Sequence, residues 1–160
     1  MPLDFAWLGQ GPAVDLANTY IPAQDADLLD QWPQARKTEL APSEFRELRA
    51  QVTAVLHALA RRAALPRETV RALNDVSAGS PAYTTLRGRR LVRHEPLAGA
   101  IARDALELIA DRATIGVCGA PGCGMFFVPT RPGQVWCCAS CGNRARVARH
   151  YKRARVHAPE

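Results

Sequence analysis

Phe45, Leu48, Val52, Val55, Leu56 and Leu59 recur at steps of three and four residues, the spacing that gathers them on one face of an α-helix. Pro42 and Ser43 supply a start signal, and Glu44 and Glu47 suit the positive first turn, so the pattern predicts an amphipathic helix over 43–62. A second helix is predicted from Pro66 through Val70, Leu73 and Val76 to a stop at Gly79. The period then changes. In AYTTLRGRRLVRHEP, the β-favouring residues Tyr83, Thr84, Thr85, Leu91 and Val92 flank an Arg87-Gly88-Arg89 turn, which predicts a hairpin ended by Pro96. Leu97, Ile101, Ala105, Leu108 and Ile109 return to helical spacing and carry a helix to about Arg112. Upstream the pattern is weaker: Ala13 to Tyr20 reads as a strand or extended segment, and DADLLDQW as a short helix closed by Trp32-Pro33.

Ala113 to Val117 is an apolar link too short to be a flexible linker, so the segments on its two sides should dock on each other. Residues 1–117 therefore read as a mainly helical α+β domain with a β-hairpin, and residues 118–160 as a small second module. In that module Cys118 and Cys123 bracket the turn-forming GAPG, MFFV and VWC alternate as two short strands around PTRPGQ, and Cys141 opens a helix. A knuckle, a hairpin and a ligand in the first turn of a helix place four thiolates round one tetrahedral centre, a treble-clef-like arrangement that suits Zn2+. Four protein ligands leave no open position for water, so one structural zinc per chain is expected, holding together a module with too few core side chains to fold alone. Cys118, Cys123 and Cys141 are forced by spacing. For the fourth ligand, Cys138 makes the commoner two-residue gap to Cys141 and Cys137 a three-residue gap, and spacing alone slightly favours Cys138.

Composition sharpens this division. All five cysteines fall between positions 118 and 141 of a 160-residue chain, which suits a metal site in a reducing compartment better than a disulfide framework. The first twenty residues carry Asp4 and Asp15, no basic cluster and no sustained apolar run, so neither a signal peptide nor a membrane span is expected, and a cytoplasmic location is. The net charge is +6, and residues 1–117 balance fourteen Lys/Arg against fourteen Asp/Glu, so the whole excess belongs to 118–160. At 100° per residue, Val147, Tyr151 and Ala154 share a narrow arc of the last helix and are expected to pack on the zinc module. Arg144, Arg146, Arg149, Lys152, Arg153 and Arg155 spread round the other side, with Arg144 and Arg155 nearest the packed arc and expected to turn inward. Cations this dense call for an anionic partner, and DNA, whose phosphates and guanine edges arginine binds bidentately, fits. The rival is a protein-interaction module in which the same helix meets an acidic protein surface.

Gly142 and Asn143 read as structural, Gly142 by letting the backbone approach the metal. His150 lies too far along its helix to reach the zinc. His57 and His94 have no partner visible in the sequence, and Asp15 and Asn18 are expected to tie down a strand rather than line a ligand pocket. No paired-carboxylate, Ser/His/Asp, phosphate-loop or dinucleotide pattern appears, so an enzyme is not expected. A homodimer and a small-molecule effector are each compatible with the chain.

CGAPGCGMFFV, WC and above all CGNRARVARHYKR resemble the CGNR zinc-finger family, and VDLANTY with DADLLDQW is similar to the opening of its N-terminal ABATE domain. The resemblance implies a zinc-binding, DNA-binding transcription regulator tied to stress. It also implies that the cysteine directly after the tryptophan pairs with the cysteine of the CGNR tetrad, which makes Cys118, Cys123, Cys137 and Cys141 the ligands and leaves Cys138 as the extra thiol. The family usually has an aspartate and a serine where this chain reads Pro129 and Thr130, and basic residues where it reads GQV before Trp136, so the departures fall in a turn and spare the ligands.

Overall fold

A computed structural model describes residues 8–38 and 40–156. The elements in chain order are α1 (Pro12–Ala17), β1 (Tyr20–Ile21), β2 (Ala26–Asp27), α2 (Pro42–Arg61), α3 (Arg67–Gly79), β3 (Tyr83–Arg87), β4 (Arg90–His94), α4 (Leu97–Ala110), β5 (Gly116–Val117), β6 (Phe126–Phe127) and α5 (Ala139–Val156). The strands form three separate antiparallel pairs, β1–β2, β3–β4 and β5–β6, so the architecture is α+β with helices dominant. None of the helices among the described residues is long and apolar enough to cross a membrane.

The periodic segments form as predicted. Helix α2 opens with Pro42 in its first turn, the Glu44 carboxylate accepts the Ala41 N–H at 2.7 Å, and the helix ends where Arg62 turns left-handed at φ 52°. Its Phe45, Leu48, Val52, Val55 and Leu56 are all buried. Helices α3 and α4 pack on each other and on α2, adding Leu73, Ile101, Ala102 and Ala105 to the core. Gly99 in α4 has no room for a side chain, because a Cβ there would run into the Ser80 carbonyl that receives Arg103 Nη1 at 3.0 Å.

Two expectations for the N-terminal forty residues are corrected. Ala13 to Tyr20 is a helix for most of its length, α1, and only Tyr20 and Ile21 are strand. Residues 13–17, Asp15 among them, are all buried, and a short segment buried throughout carries no period by which a helix can be told from a buried strand. The α1 N-terminus is secured from far away in sequence, Asp104 of α4 accepting the Ala13 N–H at 2.8 Å. DADLLDQW is a strand followed by a single 3₁₀ turn, Leu29–Gln31, with Leu28, Leu29 and Trp32 buried and the Trp32 ring edge-on to Phe45 at 6.2 Å. Arg49 of α2 fastens this segment, both guanidinium nitrogens meeting Asp27 at 2.8 Å, and these hydrogen bonds hold the Asp27 carboxyl well below the usual carboxylate range.

Strand β6 joins the two halves. Its alternation sends Phe126 into the helical core and Phe127 into a second core around the cysteines, so a two-residue strand belongs to both. The edge of this segment is completed by side chains rather than by another strand. Asn18 Nδ2 donates to the Phe126 carbonyl at 2.9 Å while its Oδ1 accepts the Phe126 N–H at 2.8 Å, and Gln10 does the same for Val128 at 3.1 and 2.8 Å. The polar residue Asn18 does tie down a strand. The His57 ring meets Phe126 edge-on at 4.8 Å from α2, which supplies the partner its sequence context lacks. Asn18→Ala leaves a buried N–H and a buried C=O unsatisfied and is expected to destabilise the protein by about 2–4 kcal/mol in urea denaturation.

Beside Asn18, two acidic side chains stand near each other under the α1 N-terminus, Asp15 accepting the Gly9 N–H at 3.2 Å and Asp104 that of Ala13. Burial raises both above the ordinary carboxylate value, and the Asp104 charge adds to the rise at Asp15. The native state therefore holds these protons more tightly than the unfolded chain. The resulting penalty is absent in acid and grows as pH rises from the unfolded value through the raised folded one. Asp104→Asn keeps an acceptor for Ala13 and is expected to flatten this fall in a pH series of thermal unfolding.

Candidate metal centre and basic helix

Backbone turns shape the cysteine module. The Cys118 N–H bonds the Met125 carbonyl at 2.8 Å, Gly124 N–H bonds Cys118 at 3.1 Å and Cys123 N–H bonds Ala120 at 3.0 Å, which folds GAPG into a knuckle between β5 and β6. The expected pairing of MFFV with VWC is replaced by Gly116 opposite Phe127 and Val117 opposite Phe126. The knuckle brings 117 beside 126 directly, whereas the path from Val128 to Trp136 contains Pro129 and Pro132, which lack the N–H a ladder needs. That path is ordered as a turn instead: Gln134 Oε1 accepts the Thr130 N–H at 3.0 Å and its Nε2 donates to the Trp136 carbonyl at 2.9 Å.

The sulfurs of Cys118, Cys123, Cys137 and Cys141 all lie within 4.8 Å of one another, and all four residues are buried. Cys137 is 3.7 Å from Cys123 and 3.5 Å from Cys141. Four sulfurs at ~2.3 Å from Zn2+ in a tetrahedron stand about 3.8 Å apart, so this donor set is of the size that holds one zinc ion. Cys138 is exposed, 3.9 Å from Cys137, and immediately precedes α5, where its carbonyl takes the Gly142 N–H at 3.2 Å. The slight preference of spacing for Cys138 as the ligand is thus corrected. The residue next along from an inward-facing Cys137 points out of the module, and no gap length reports that.

Four thiols so close cannot all ionise unless a cation shares their charge. The hydrogen bond from Cys137 draws the Cys123 thiol down to about 5, while the same bond holds the Cys137 proton well above the ordinary thiol range, and burial pushes Cys141 up to about 12. A divalent ion removes that conflict and would leave a centre of net charge −2, which Arg144 is placed to offset: its Nη2 donates to Cys141 Sγ at 3.1 Å. Burial alone would lower the Arg144 pKa, but its bond to the Cys141 sulfur and the thiols nearby raise it. The three-residue step from Cys141 to Arg144 on one helix is what brings them together.

Trp136 covers the site. A Cβ on Gly142 would stand 3.1 Å from its indole, so the missing side chain at 142 admits the tryptophan over the first turn of α5 rather than the metal. Leu8 packs on the same cluster.

Helix α5 leaves the module after this point. Cys141, Gly142 and Ala145 are buried and every residue from 146 to 155 is exposed. The expected apolar arc does not pack, Val147 being 45% and Tyr151 66% exposed, because no other element of the described residues reaches them. Arg144 turns inward as expected, but Arg155 does not, and Arg146, Arg149, Lys152, Arg153 and Arg155 are all solvent-exposed. His150 lies among them with its ring 6.0 Å from Tyr151. At 1.5 Å per residue, 18 helical residues make a rod of about 27 Å anchored at one end by the cysteines.

Fold and site together define a helical α+β domain docked on a four-cysteine module that can bind one zinc ion. Residues 10–112 match the ABATE family, described as "Putative stress-induced transcription regulator", and residues 114–154 match the CGNR zinc finger. The chain belongs to the ABATE family and carries a CGNR zinc finger after that domain. No curated protein matches it.

Proposed function

We propose that this protein is a cytoplasmic, non-enzymatic, DNA-binding transcription regulator in which a zinc-anchored helix delivers cations to the phosphate backbone. The observation that carries the reading is the solvent-exposed length of α5: from Arg146 to Arg155 it presents five exposed cations and no acidic residue, on a base buried in the four-cysteine module. A helix of that kind fits the major groove, and arginine forks bind phosphate or guanine with two hydrogen bonds. The knuckle, strand pair and helix are the parts of a treble clef, with the helix as the presenting element. The family description supports transcription regulation with stress as its occasion, and the exposed arginines support DNA as the partner. The exposed Val147 and Tyr151 favour a second reading of that one face, in which it meets a second copy of the chain and pairs two basic helices into a homodimer.

The test is fluorescence anisotropy of the zinc-loaded full chain on a mixed-sequence DNA duplex across a salt series. Each engaged cation contributes a slope of about −0.9 in log affinity against log salt, so α5 alone is expected to give roughly −3 to −5. Absence of salt-sensitive binding to any mixed DNA or RNA pool, with the zinc module folded, refutes this reading and leaves the protein-interaction alternative.

A further inference from the structure

The β3–β4 hairpin carries charge that the fold does not use. Arg87, Arg89, Arg90 and Arg93 lie within the twelve residues from 83 to 94, which contain no acidic residue, in a domain whose charges balance only when these four are included. Among the described residues none of the four has an ion-pair partner; the nearest bridge in sequence, Arg103 to Glu95 at 3.2 Å, stands beyond the hairpin's base. Arg87 and Arg90 face each other across the register, flanking the Gly88-Arg89 turn, and like charges so placed weaken a strand pair. On the opposite face Leu86 and Leu91 are cross-strand partners, 67% and 71% exposed, the two most exposed large apolar side chains among the described residues. Only Thr85, Val92 and His94 are half-buried; Thr85 Oγ1 stands 2.8 Å from His94 Nε2, and His94 stacks on Tyr83 at 4.7 Å. The ribbon is thus braced at its base and open on both faces towards its tip.

We infer that this hairpin is a second duplex-contacting element, a β-ribbon whose arginines take phosphates along a groove while Leu86 and Leu91 meet sugar carbons or thymine methyls. The inference rests on the DNA-binding reading of α5 and extends it to a surface on the ABATE domain. A two-stranded ribbon fits the major groove, and arginine matches phosphate geometry better than lysine does. All four cations are arginines, and they occupy the turn and both faces. An anionic membrane surface is the poorer fit: two leucines are a small apolar contact, and cations on both faces leave no single side to lie in the interface.

The experiment uses the zinc-loaded full chain and its Arg87→Gln/Arg89→Gln/Arg90→Gln variant on a mixed-sequence duplex between 50 and 200 mM salt. Three lost phosphate contacts remove about 2.7 from the slope, so the wild type is expected to lose about 40-fold more affinity over that range than the variant. Zinc content and thermal midpoint should not fall, since the substitutions relieve a like-charge pair. Arg89→Gln alone, at the turn, should produce about a third of the slope change if the triple variant fails to fold. A hairpin variant with wild-type slope, alongside α5 variants whose slope is reduced, overturns the hairpin proposal and leaves the α5 reading standing. A wild type with no salt-sensitive nucleic-acid binding overturns both. Wild-type binding to phosphatidylserine vesicles that disappears in the hairpin variant, with duplex binding unchanged, assigns the ribbon to membranes and overturns its assignment to nucleic acid.

Discussion

Chelation of zinc from the full chain is expected to unfold residues 114–156 while leaving much of the helical domain in place. Binding of zinc to small cysteine modules contributes roughly 10–16 kcal/mol of folding free energy at neutral pH, far above the few kcal/mol that a core of this size supplies. The second core consists of the four ligand cysteines with Ala120, Met125, Phe127, Trp136 and Leu8, so removing the ion removes the centre on which it is built and restores repulsion between neighbouring thiolates. Cys137→Ser is expected to behave as chelation does and Cys138→Ser as the wild type, because only the former deletes a buried sulfur 3.7 Å from Cys123 and 3.5 Å from Cys141. Metal analysis with circular dichroism decides between them. Loss of zinc from Cys138→Ser with retention in Cys137→Ser would reverse the ligand assignment, and an unchanged spectrum for the module after verified metal removal would contradict a structural role.

How far the helical domain responds depends on β6. Phe126 fills part of its core, and Asn18 and Gln10 have the backbone of 126 and 128 as partners, so a melted module leaves a hole and two amide side chains without their bonds. Partial loosening of α1 is the expected consequence, and amide exchange at 13–19 is where it would show.

Helices α2, α3 and α4 are legible because each buries one face and exposes the other, which writes its period into the sequence, and the β3–β4 hairpin is legible because β-favouring residues flank a glycine turn. Helix α1 is not, because all of Ala13 to Ala17 is buried and its capping group, Asp104, lies 91 residues away. The β5–β6 pairing is hidden for a similar reason: two-residue strands carry no period, and docking on Asn18 and Gln10 chooses their place. In the metal centre, the residue types and approximate spacing are visible, but the choice between adjacent cysteines depends on which way each points. The resemblance to the CGNR family, not the spacing, leads to Cys137. The arc of Val147 and Tyr151 illustrates the converse error, in which an apolar stripe on a helical wheel suggests a packing partner that the fold does not place there. The arginines of the hairpin escape a reading by composition because the balanced charge of 1–117 as a whole conceals a local cluster.

The second large effect is expected from Arg146→Ala/Arg149→Ala/Arg153→Ala, three cations that share one side of α5. Their loss should reduce the salt slope of DNA binding by about 2.7 and weaken binding at physiological salt by more than an order of magnitude, with zinc content unchanged. Arg144→Gln is the informative contrast. Its side chain faces Cys141 sulfur rather than solvent, so it should lower zinc affinity by about 10- to 100-fold while leaving the slope of the zinc-saturated protein near that of the wild type.

The salt slope of the triple α5 variant, measured beside the wild type on one mixed-sequence duplex with both proteins zinc-saturated, tests most directly that the anchored helix is the DNA-binding element. A slope flatter by about 2.7 is the predicted result. Equal slopes for the two proteins, with both modules folded, would contradict it.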